Sequence, residues 1–428
     1  MNGKEIKRIV ETEIALLLQE IGGLLIEGPK LCGKTFLGQK YSQSQFYVEN
    51  YGPNLTLALQ ENWQTNIIFS GLQPRLIDEW QILPQIWDRV RFLIDQTQGK
   101  PGQYILTGSS RAKEGSHFHS GAGRIYRLKM HTLTFSEILS SEQEAKISLR
   151  ALFANQAIKP IENHYQIDWI IKQLLDGGWP GVLANKQNSQ KIIKSYLDGL
   201  SANLINNQNL RLDANVVQLI LKSLARLNTT QIKQSTILKD INYVIDSATL
   251  SKYLYYFKDL FLIFEIPIWL PAARFVSKTK MRTTAKTYFC DPSIGLYLLN
   301  INQAEQFYKD PQTLGIYFEN QVIKDLLVYV QALDGQLYFY RDANGLEIDA
   351  IIELNNGQWA AIEIKLGAQP NQLELASKNL KRFACKMASA SKQSQASFLM
   401  IITAGGPLNQ PYQQSDGIYV IPHTCLGI

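Results

Sequence analysis

Short apolar runs alternate with amphipathic segments over the first 130 residues of the chain. The apolar runs predict strands at 23–28, 45–49, 75–80, 103–108 and 124–130. Between them, apolar residues recur at helical spacing and predict helices at 33–41, 54–63 and 83–97. Because parallel strands need helical crossovers, this alternation predicts an α/β core whose parallel sheet is covered on both faces.

The pattern changes after residue 136, where helical spacing dominates to about residue 228. Helices are then predicted at 212–227, 234–241 and 246–260, followed by strands at 261–270 and 284–290. From about residue 315 a long helix precedes a β-rich segment, another helix and further strands. We therefore predict four segments, which are an α/β core at 1–135, a helical extension at 136–211, a helix–strand module at 212–300 and a C-terminal α/β domain at 301–428.

Composition is that of an ordinary globular protein of 428 residues, 45% of them hydrophobic. No run reaches the roughly 18 apolar residues of a membrane span, so we expect no membrane partner. The four cysteines are scattered, which favours a reducing, cytoplasmic compartment over a disulfide framework. The net charge of +6 permits a nucleic-acid partner without requiring one.

The segment after the first predicted strand carries the strongest chemical signal. It fits the pattern G-x-x-x-x-G-K-[ST] between a strand and a helix, which is the context of a phosphate-binding loop. Such a loop wraps phosphates with backbone N–H groups, while its lysine reaches the β and γ phosphates and its hydroxyl residue binds Mg²⁺. The predicted ATP site consists of Gly28, Pro29, Lys30, Leu31, Cys32, Gly33, Lys34 and Thr35.

Two acids end the third predicted strand. We predict that Asp78 holds Mg²⁺ through its water shell and that Glu79 polarises the attacking water. A nucleotide kinase needs no such glutamate, so the pair favours hydrolysis. The alternative is a solvated acidic strand end, which the nearby phosphate loop makes less attractive.

Polar residues end the fourth predicted strand, and an arginine follows a glycine-rich loop. Ser109, preferred to Thr107 and Ser110, is predicted to sense the γ-phosphate; the alternative is an ordinary strand-end turn. Arg124 in the sequence SGAGR is predicted to neutralise transition-state charge in its own subunit or in a neighbour of a homo-oligomer. The alternative is a surface arginine in a loop, with no role in catalysis.

The helices at 234–260 and the strands after them are typical of a winged helix. Residues 222–282 hold ten Lys and Arg against four Asp and Glu, an excess equal to the net charge of the whole chain, which favours DNA as a partner. The predicted DNA-binding residues are Thr249, Ser251 and Lys252 on the third helix and Arg274 and Lys278 on the wing. The alternative is a module that serves packing or docks a partner.

Carboxylates and a lysine recur on two predicted strands near the C-terminus. Glu363 follows Asp349 by fourteen residues, and strand periodicity places Glu363 and Lys365 on one face. This D-x(13)-E-x-K pattern is typical of a metal-dependent nuclease. We predict Asp349 and Glu363 as ligands of Mg²⁺ or Mn²⁺ and Lys365 as the residue that positions water, with Glu319 of the preceding helix as a further ligand. A solvated sheet face is the alternative.

In this order the segments GPKLCGKT, RLIDEWQ, ILTGSS, SGAGR, GGWP, YFCDPSIGLYLL, YFENQV, EIDAIIE and AAIEIK resemble a large prokaryotic AAA-type ATPase family. The resemblance spans nearly the whole chain. It implies a P-loop ATPase core, a winged helix and a C-terminal restriction-endonuclease-like domain of the PD-(D/E)xK type. By motif it assigns the phosphate loop to Lys34 and Thr35, the metal and catalytic acids to Asp78 and Glu79, and the loop arginine to Arg124.

Three functions fit these features. The first is a Mg²⁺-dependent ATPase that acts on DNA or is regulated by it, with its own nuclease. The second is a slow nucleotide-driven switch that binds a partner. The third is a DNA-binding regulator whose terminal domain is inactive. Glu79 favours turnover, and the intact set of Asp349, Glu363 and Lys365 argues against complete decay of the terminal site.

Overall fold

The computed structural model describes residues 6–51, 67–110, 121–140, 146–185, 188–205, 213–270, 284–391, 395–405 and 409–428. The predicted helix at 54–63 and the predicted DNA-binding residues Arg274 and Lys278 lie outside these ranges. The chain divides into two compact units, one of Lys7–Thr132 with Tyr256–Leu262 and the other containing Leu133–Tyr255 and Ile263–Ile428. Within the described ranges, no helix combines the length and apolar character that a membrane crossing needs.

The first unit contains a five-stranded parallel sheet. Its strands are β1 Gly23–Glu27, β2 Ser44–Tyr47, β3 Arg75–Asp78, β4 Tyr104–Gly108 and β5 Ile125–Lys129, in the order β2-β3-β4-β1-β5. Its described helices are α1 Glu11–Glu20, α2 Lys34–Tyr41 and α3 Gln85–Gln96. The predicted α/β class with a parallel sheet is therefore confirmed.

Strand alternation explains why this sheet has two covered faces. All five residues of β1 are buried. Leu24 and Ile26 pack into the apolar cluster that includes residues of α1 and α2, whereas Leu25 packs into the cluster that includes α3. Because the strands are parallel, the carboxyl ends of β1, β3 and β4 share one edge of the sheet, which is where ligands bind in sheets of this kind.

The second unit begins with helices and continues with a small sheet. Its helices up to residue 259 are α4 Phe135–Leu139, α5 Leu149–Phe153, α6 Ile167–Asp176, α7 Pro180–Asn185, α8 Ser189–Ile205, α9 Ala214–Arg226, α10 Gln234–Asp240 and α11 Ser247–Asp259. The strands are β6 Ile147–Ser148, β7 Thr230–Gln231, β8 Ile263–Ile266 and β9 Lys286–Phe289, of which the last three form an antiparallel sheet in the order β7-β9-β8. The strand predicted at 261–270 is shorter at both ends, because Phe261 adopts a left-handed backbone conformation before it and Pro267, which has no N–H, follows Ile266.

The C-terminal part is a mixed sheet between long helices. Helices α12 Pro292–Leu298, α13 Ala304–Lys309 and α14 Pro311–Gln331 precede β10 Gly335–Arg341, β11 Glu347–Leu354 and β12 Trp359–Lys365; α15 Pro370–Ser391 precedes β13 Phe398–Thr403, β14 Tyr412–Gln413, β15 Tyr419–Pro422 and β16 Leu426–Gly427. The sheet order is β10-β11-β12-β13-β15-β14. Strands β10, β11 and β12 pair antiparallel, and β12 pairs parallel with β13.

Buried charges tie the end of the chain to α14. The side chains of Lys324, Asp325 and His423 are fully buried. Asp325 accepts hydrogen bonds from the Phe135 N–H at 3.0 Å and contacts His423 Nε2 at 2.8 Å. Burial alone would raise the pKa of Asp325, but Lys324, His423 and this N–H outweigh it and hold the pKa below its usual value. His423, which has no role predicted from the sequence, is thus part of the core.

Candidate functional sites

The predicted phosphate loop connects β1 to α2. A side chain at Gly28 would place its Cβ 2.1 Å from the Met130 carbonyl oxygen, so glycine is required there. Gly33 has a φ of 102°, in the region that favours glycine. The Lys34 ammonium donates to the carbonyl oxygens of Gly28 at 3.0 Å and Pro29 at 2.9 Å. The start of the loop therefore surrounds the Lys34 ammonium with two carbonyl oxygens.

Asp78 links this loop to the neighbouring strands. Its Oδ1 accepts from the Thr35 hydroxyl at 2.9 Å and from the Thr107 hydroxyl at 2.5 Å. Burial raises the pKa of Asp78, and the two hydroxyl groups offset part of that effect. The structure therefore brings the loop hydroxyl and the strand-end acid into direct contact. Thr107, which sequence analysis passed over in favour of Ser109, takes part in this contact.

Glu79 lies one residue beyond β3 in a left-handed backbone conformation, with a φ of 54°. Its N–H donates to the Thr107 hydroxyl at 3.0 Å, and its Oε2 accepts from the Ser109 hydroxyl at 2.8 Å. The Gln81 amide also donates to the same carboxylate oxygen and lies 3.2 Å from Ser109 Oγ. The Ser109 hydroxyl and the Gln81 amide therefore both contact the Glu79 carboxylate.

Cys32 is a buried part of the loop. Its carbonyl oxygen accepts from Arg8 Nη1 at 2.9 Å, and Arg8 Nη2 donates to the His131 carbonyl oxygen at 2.8 Å. Arg8 thus braces the loop from a position before α1. No sequence motif connects Arg8 to a loop more than twenty residues later, so Arg8 was not among the predicted site residues.

Arg124 lies at the amino ends of the strands, whereas the phosphate loop lies at their carboxyl ends. It precedes β5, whose first residue Ile125 pairs with Gly23 at the start of β1, whereas the phosphate loop follows the end of β1. The length of a five-residue strand, roughly 16 Å, separates the two edges. Arg124 Nε donates to Asp95 Oδ1 at 2.8 Å, and its side chain is 47% exposed. This position disfavours action on a phosphate in the same subunit.

The predicted C-terminal residues meet on β11 and β12. Ala350 pairs with Ile362, which sets Asp349 beside Glu363. Lys365 Nζ lies 2.5 Å from Glu363 Oε2 and 3.5 Å from Asp349 Oδ2. Burial, followed by the charge of Asp349, raises the pKa of Glu363 to about 7. Among the described residues, none forms a hydrogen bond with the buried Glu363 Oε1, and the Asn379 side chain is a further polar neighbour of this carboxylate.

Glu319 of α14 faces a lysine and a tyrosine from β9. Its Oε1 lies 3.3 Å from Lys286 Nζ and accepts from the Tyr288 hydroxyl at 3.1 Å. Removal from water raises the pKa of Glu319 to about 7, although Lys286 opposes the rise. Among the described residues, no three acidic, histidine or cysteine side chains converge as metal ligands. The structure instead pairs Glu319 with Lys286, and Asp349 and Glu363 with Lys365.

The predicted DNA-binding residues that the structure describes lie on α11. The Thr249 N–H donates to Asp246 Oδ1 at 2.6 Å, which caps the helix. Lys252 and Ser251 are exposed, and the Ser251 hydroxyl also lies 3.0 Å from the Gln234 amide nitrogen of α10. This surface leaves the Lys252 ammonium accessible to an anionic partner.

Three family models match separate segments of the chain. Residues 22–139 match an AAA domain, which supports an AAA-type ATPase for the first unit. Residues 167–305 match a domain of unknown function (DUF8612), and residues 314–426 match another (DUF4143).

Individual relatives are distant. The uncharacterized proteins Rv2008c of Mycobacterium tuberculosis and Mb2031c of Mycobacterium bovis are each 22% identical to this chain, over 81% of it and 71% of their own length. Among solved structures, the Walker-type ATPase of Pyrococcus abyssi is 14% identical with a TM-score of 0.40, covering 70% of this chain and 97% of its own. AMPPCP-bound DnaA from Aquifex aeolicus is 13% identical with a TM-score of 0.25, covering 59% and 88%.

Proposed function

We propose that the chain binds ATP with Mg²⁺ at residues 28–35 and hydrolyses it. The observation that carries this proposal is the direct contact of the Thr35 hydroxyl with Asp78, next to Glu79, at the carboxyl edge of the sheet. The donor set fits Mg²⁺, which prefers oxygen ligands and keeps several waters. The AAA-domain match of residues 22–139 supports the same assignment.

Each residue has a definite task in this proposal. Backbone N–H groups of the loop and the first turn of α2 bind the phosphates. Lys34 exchanges its two carbonyl partners for phosphate oxygens, and Thr35 and Asp78 would hold the metal, which would offset phosphate charge. Glu79 accepts a proton from the attacking water, and Ser109 holds the Glu79 carboxylate in place.

We also propose that Arg124 acts on the nucleotide of a neighbouring subunit in a homo-oligomer. Arg124→Ala is expected to abolish most hydrolysis while ATP binding persists, because such an arginine stabilises charge in the transition state. Mixing Arg124→Ala with Lys34→Ala protein is expected to restore part of the phosphate release, since one interface then has both intact residues. No restoration in a mixture shown by mass spectrometry to co-assemble would rule out action across the interface.

DNA is the proposed partner of the middle segment. The order α9, β7, α10, α11, β8 and β9, with the last strand central in a three-stranded sheet, supports a winged helix. The exposed Lys252 and the basic excess of residues 222–282 support phosphate contacts.

Charge reversal tests this partner. Changing Lys252 and Lys278 to glutamate is expected to weaken binding to duplex DNA and to reduce the salt slope by roughly one for each lost phosphate contact. Lys309→Glu on α13 is the matched control. Fluorescence anisotropy at several salt concentrations measures both quantities. Unchanged binding in the double variant would place the DNA contact elsewhere or leave a protein-docking module.

A second activity, metal-dependent cleavage of nucleic acid, is proposed for the C-terminal domain. The succession of α14, β10, β11, β12, α15 and β13 supports a restriction-endonuclease-like core. Asp349 and Glu363 would supply oxygen ligands, and the buried Glu363 Oε1 accepts no hydrogen bond from the part of the chain that the structure describes. When bound, the metal would generate a nucleophilic water; Lys365 would orient that water and offset the carboxylate charge.

A further inference from the structure

Lys286 comes from the small antiparallel sheet and yet lies among the carboxylates of the C-terminal domain. Its side chain is only 5% exposed. Its ammonium is 3.3 Å from Glu319 Oε1 and 2.7 Å from Glu347 Oε1, and 5.5 Å from the centre of the Phe339 ring. Neither lysine-to-acid contact belongs to the D-x(13)-E-x-K pattern.

The strand that carries Lys286 is held against this site by several contacts. Tyr288, two residues later and therefore on the same face of β9, donates to Glu319 Oε1 at 3.1 Å. The chain leaving β8 forms a bridge between Ile268 and Phe339 of β10, and the Trp269 N–H donates to the Phe339 carbonyl oxygen at 2.6 Å. These contacts fix β9, and with it Lys286, beside the carboxylates.

Charge explains what this lysine does. Four carboxylates and three cations share the site, which leaves a net charge of −1 when all seven groups are ionised. The carboxylates are Glu319, Glu347, Asp349 and Glu363, and the cations are Lys286, Lys365 and Arg341. Without Lys286 two negative charges remain, which a divalent cation would balance. Charges removed from water need such compensation.

We propose that Lys286 is the internal counter-ion of the C-terminal carboxylate site and competes there with the divalent metal. This inference rests on the metal site proposed above. Lys286 occupies the Glu319 carboxylate, which the sequence predicts as a further metal ligand, and the like charges of lysine and metal repel. The buried Glu363 Oε1, which accepts no hydrogen bond from the described residues, supports a further acceptor for a cation beside Asp349. Because Lys286 belongs to β9, metal affinity depends on where the small antiparallel sheet holds that strand.

Titration of the full chain with Mn²⁺, followed by the electron paramagnetic resonance of free Mn²⁺, tests the competition. It is performed without nucleotide on protein that also carries Lys34→Ala and Asp78→Ala, which removes the proposed nucleotide-associated metal site. Lys286→Met is expected to bind Mn²⁺ at least about tenfold more tightly, since one positive charge close to the ion is lost. Lys386→Met is the matched control, because Lys386 pairs at 2.6 Å with Asp342, which is outside the cluster; its affinity is expected to be unchanged.

Thermal melting tests the counter-ion role in a second way. In chelator, Lys286→Met is expected to melt well below the parent protein and to recover with Mn²⁺ by a larger shift than the parent shows. Adding Glu319→Gln to Lys286→Met restores the charge balance and is expected to raise the melting temperature in chelator, which keeps the test decisive if the single variant does not fold. A double variant no more stable than the single one would overturn the counter-ion role.

The results distinguish failure of the competition from failure of the proposed C-terminal metal site. Equal Mn²⁺ affinity in Lys286→Met and its parent, combined with loss of binding in Asp349→Ala, would overturn the competition and leave the metal site standing. Absence of Mn²⁺ binding in every folded variant would overturn the metal site, and the competition with it.

Discussion

Replacing Glu79 with glutamine is expected to abolish most ATP turnover while leaving ATP binding within a few-fold of wild type. Glutamine keeps the shape of the side chain, so the contacts with Ser109 and Gln81 are retained in part, but it cannot accept the proton of the attacking water. General bases contribute about 10²–10⁴ to rates, and phosphate release should fall by a factor in that range.

Isothermal titration with a non-hydrolysable ATP analogue and a phosphate-release assay measure the two quantities separately. Glu20→Gln, at the exposed end of α1, is the matched control and is expected to behave as wild type. Normal hydrolysis by Glu79→Gln would show that another group is the base. Loss of binding in that variant would instead make Glu79 part of the nucleotide pocket.

Asp349→Ala and Lys365→Ala are each expected to abolish metal-dependent cleavage of nucleic acid by the purified chain. Asp349→Ala removes a ligand, so Mn²⁺ binding at the C-terminal site should also be lost. Lys365→Ala removes the cation beside both carboxylates, at 2.5 Å from Glu363, so it should eliminate cleavage while Mn²⁺ still binds. The two variants thereby separate metal binding from chemistry.

Single-stranded, double-stranded and branched DNA and RNA are each incubated with Mn²⁺ and resolved on gels. Asp416→Ala is the matched control because Asp416 pairs with Lys381, away from the predicted ligands. Cleavage that survives in both Asp349→Ala and Lys365→Ala would indicate a contaminating nuclease. Metal loss in Asp349→Ala without cleavage by any protein would indicate a site that binds metal but does not cut.

Local patterns predicted much of the first unit. The strands and helices around the phosphate loop follow from apolar periodicity, because each lies within a few residues of its own signal. The predicted strand at 75–80 ends instead at Asp78, since Glu79 turns into a left-handed conformation. Apolar periodicity does not predict such a turn. The Glu79 N–H there donates to the Thr107 hydroxyl of another strand.

Contacts between distant segments escaped sequence analysis. Lys286 and Tyr288 lie in a segment whose apolar pattern predicts only a strand, and nothing local indicates that this strand faces Glu319. The position of Arg124 at the amino ends of the strands likewise follows from the parallel pairing of β5 with β1, which periodicity does not determine. The two-residue period placed Glu363 and Lys365 on one face, and the pairing of Ala350 with Ile362 then sets Asp349 beside Glu363. Their role as ligands stays a prediction.

Phosphate release from Mg²⁺-ATP by wild type and by Lys34→Ala tests the central claim most directly. Lys34 is buried in the loop with two carbonyl partners, so its loss should remove both the charge and the ordering of the phosphate site. Lys100→Ala, an exposed turn residue of the same unit, is the control. The account predicts turnover by wild type and Lys100→Ala and only background release by folded Lys34→Ala. Equal release by wild type and Lys34→Ala, or no ATP binding by folded wild type, would contradict it.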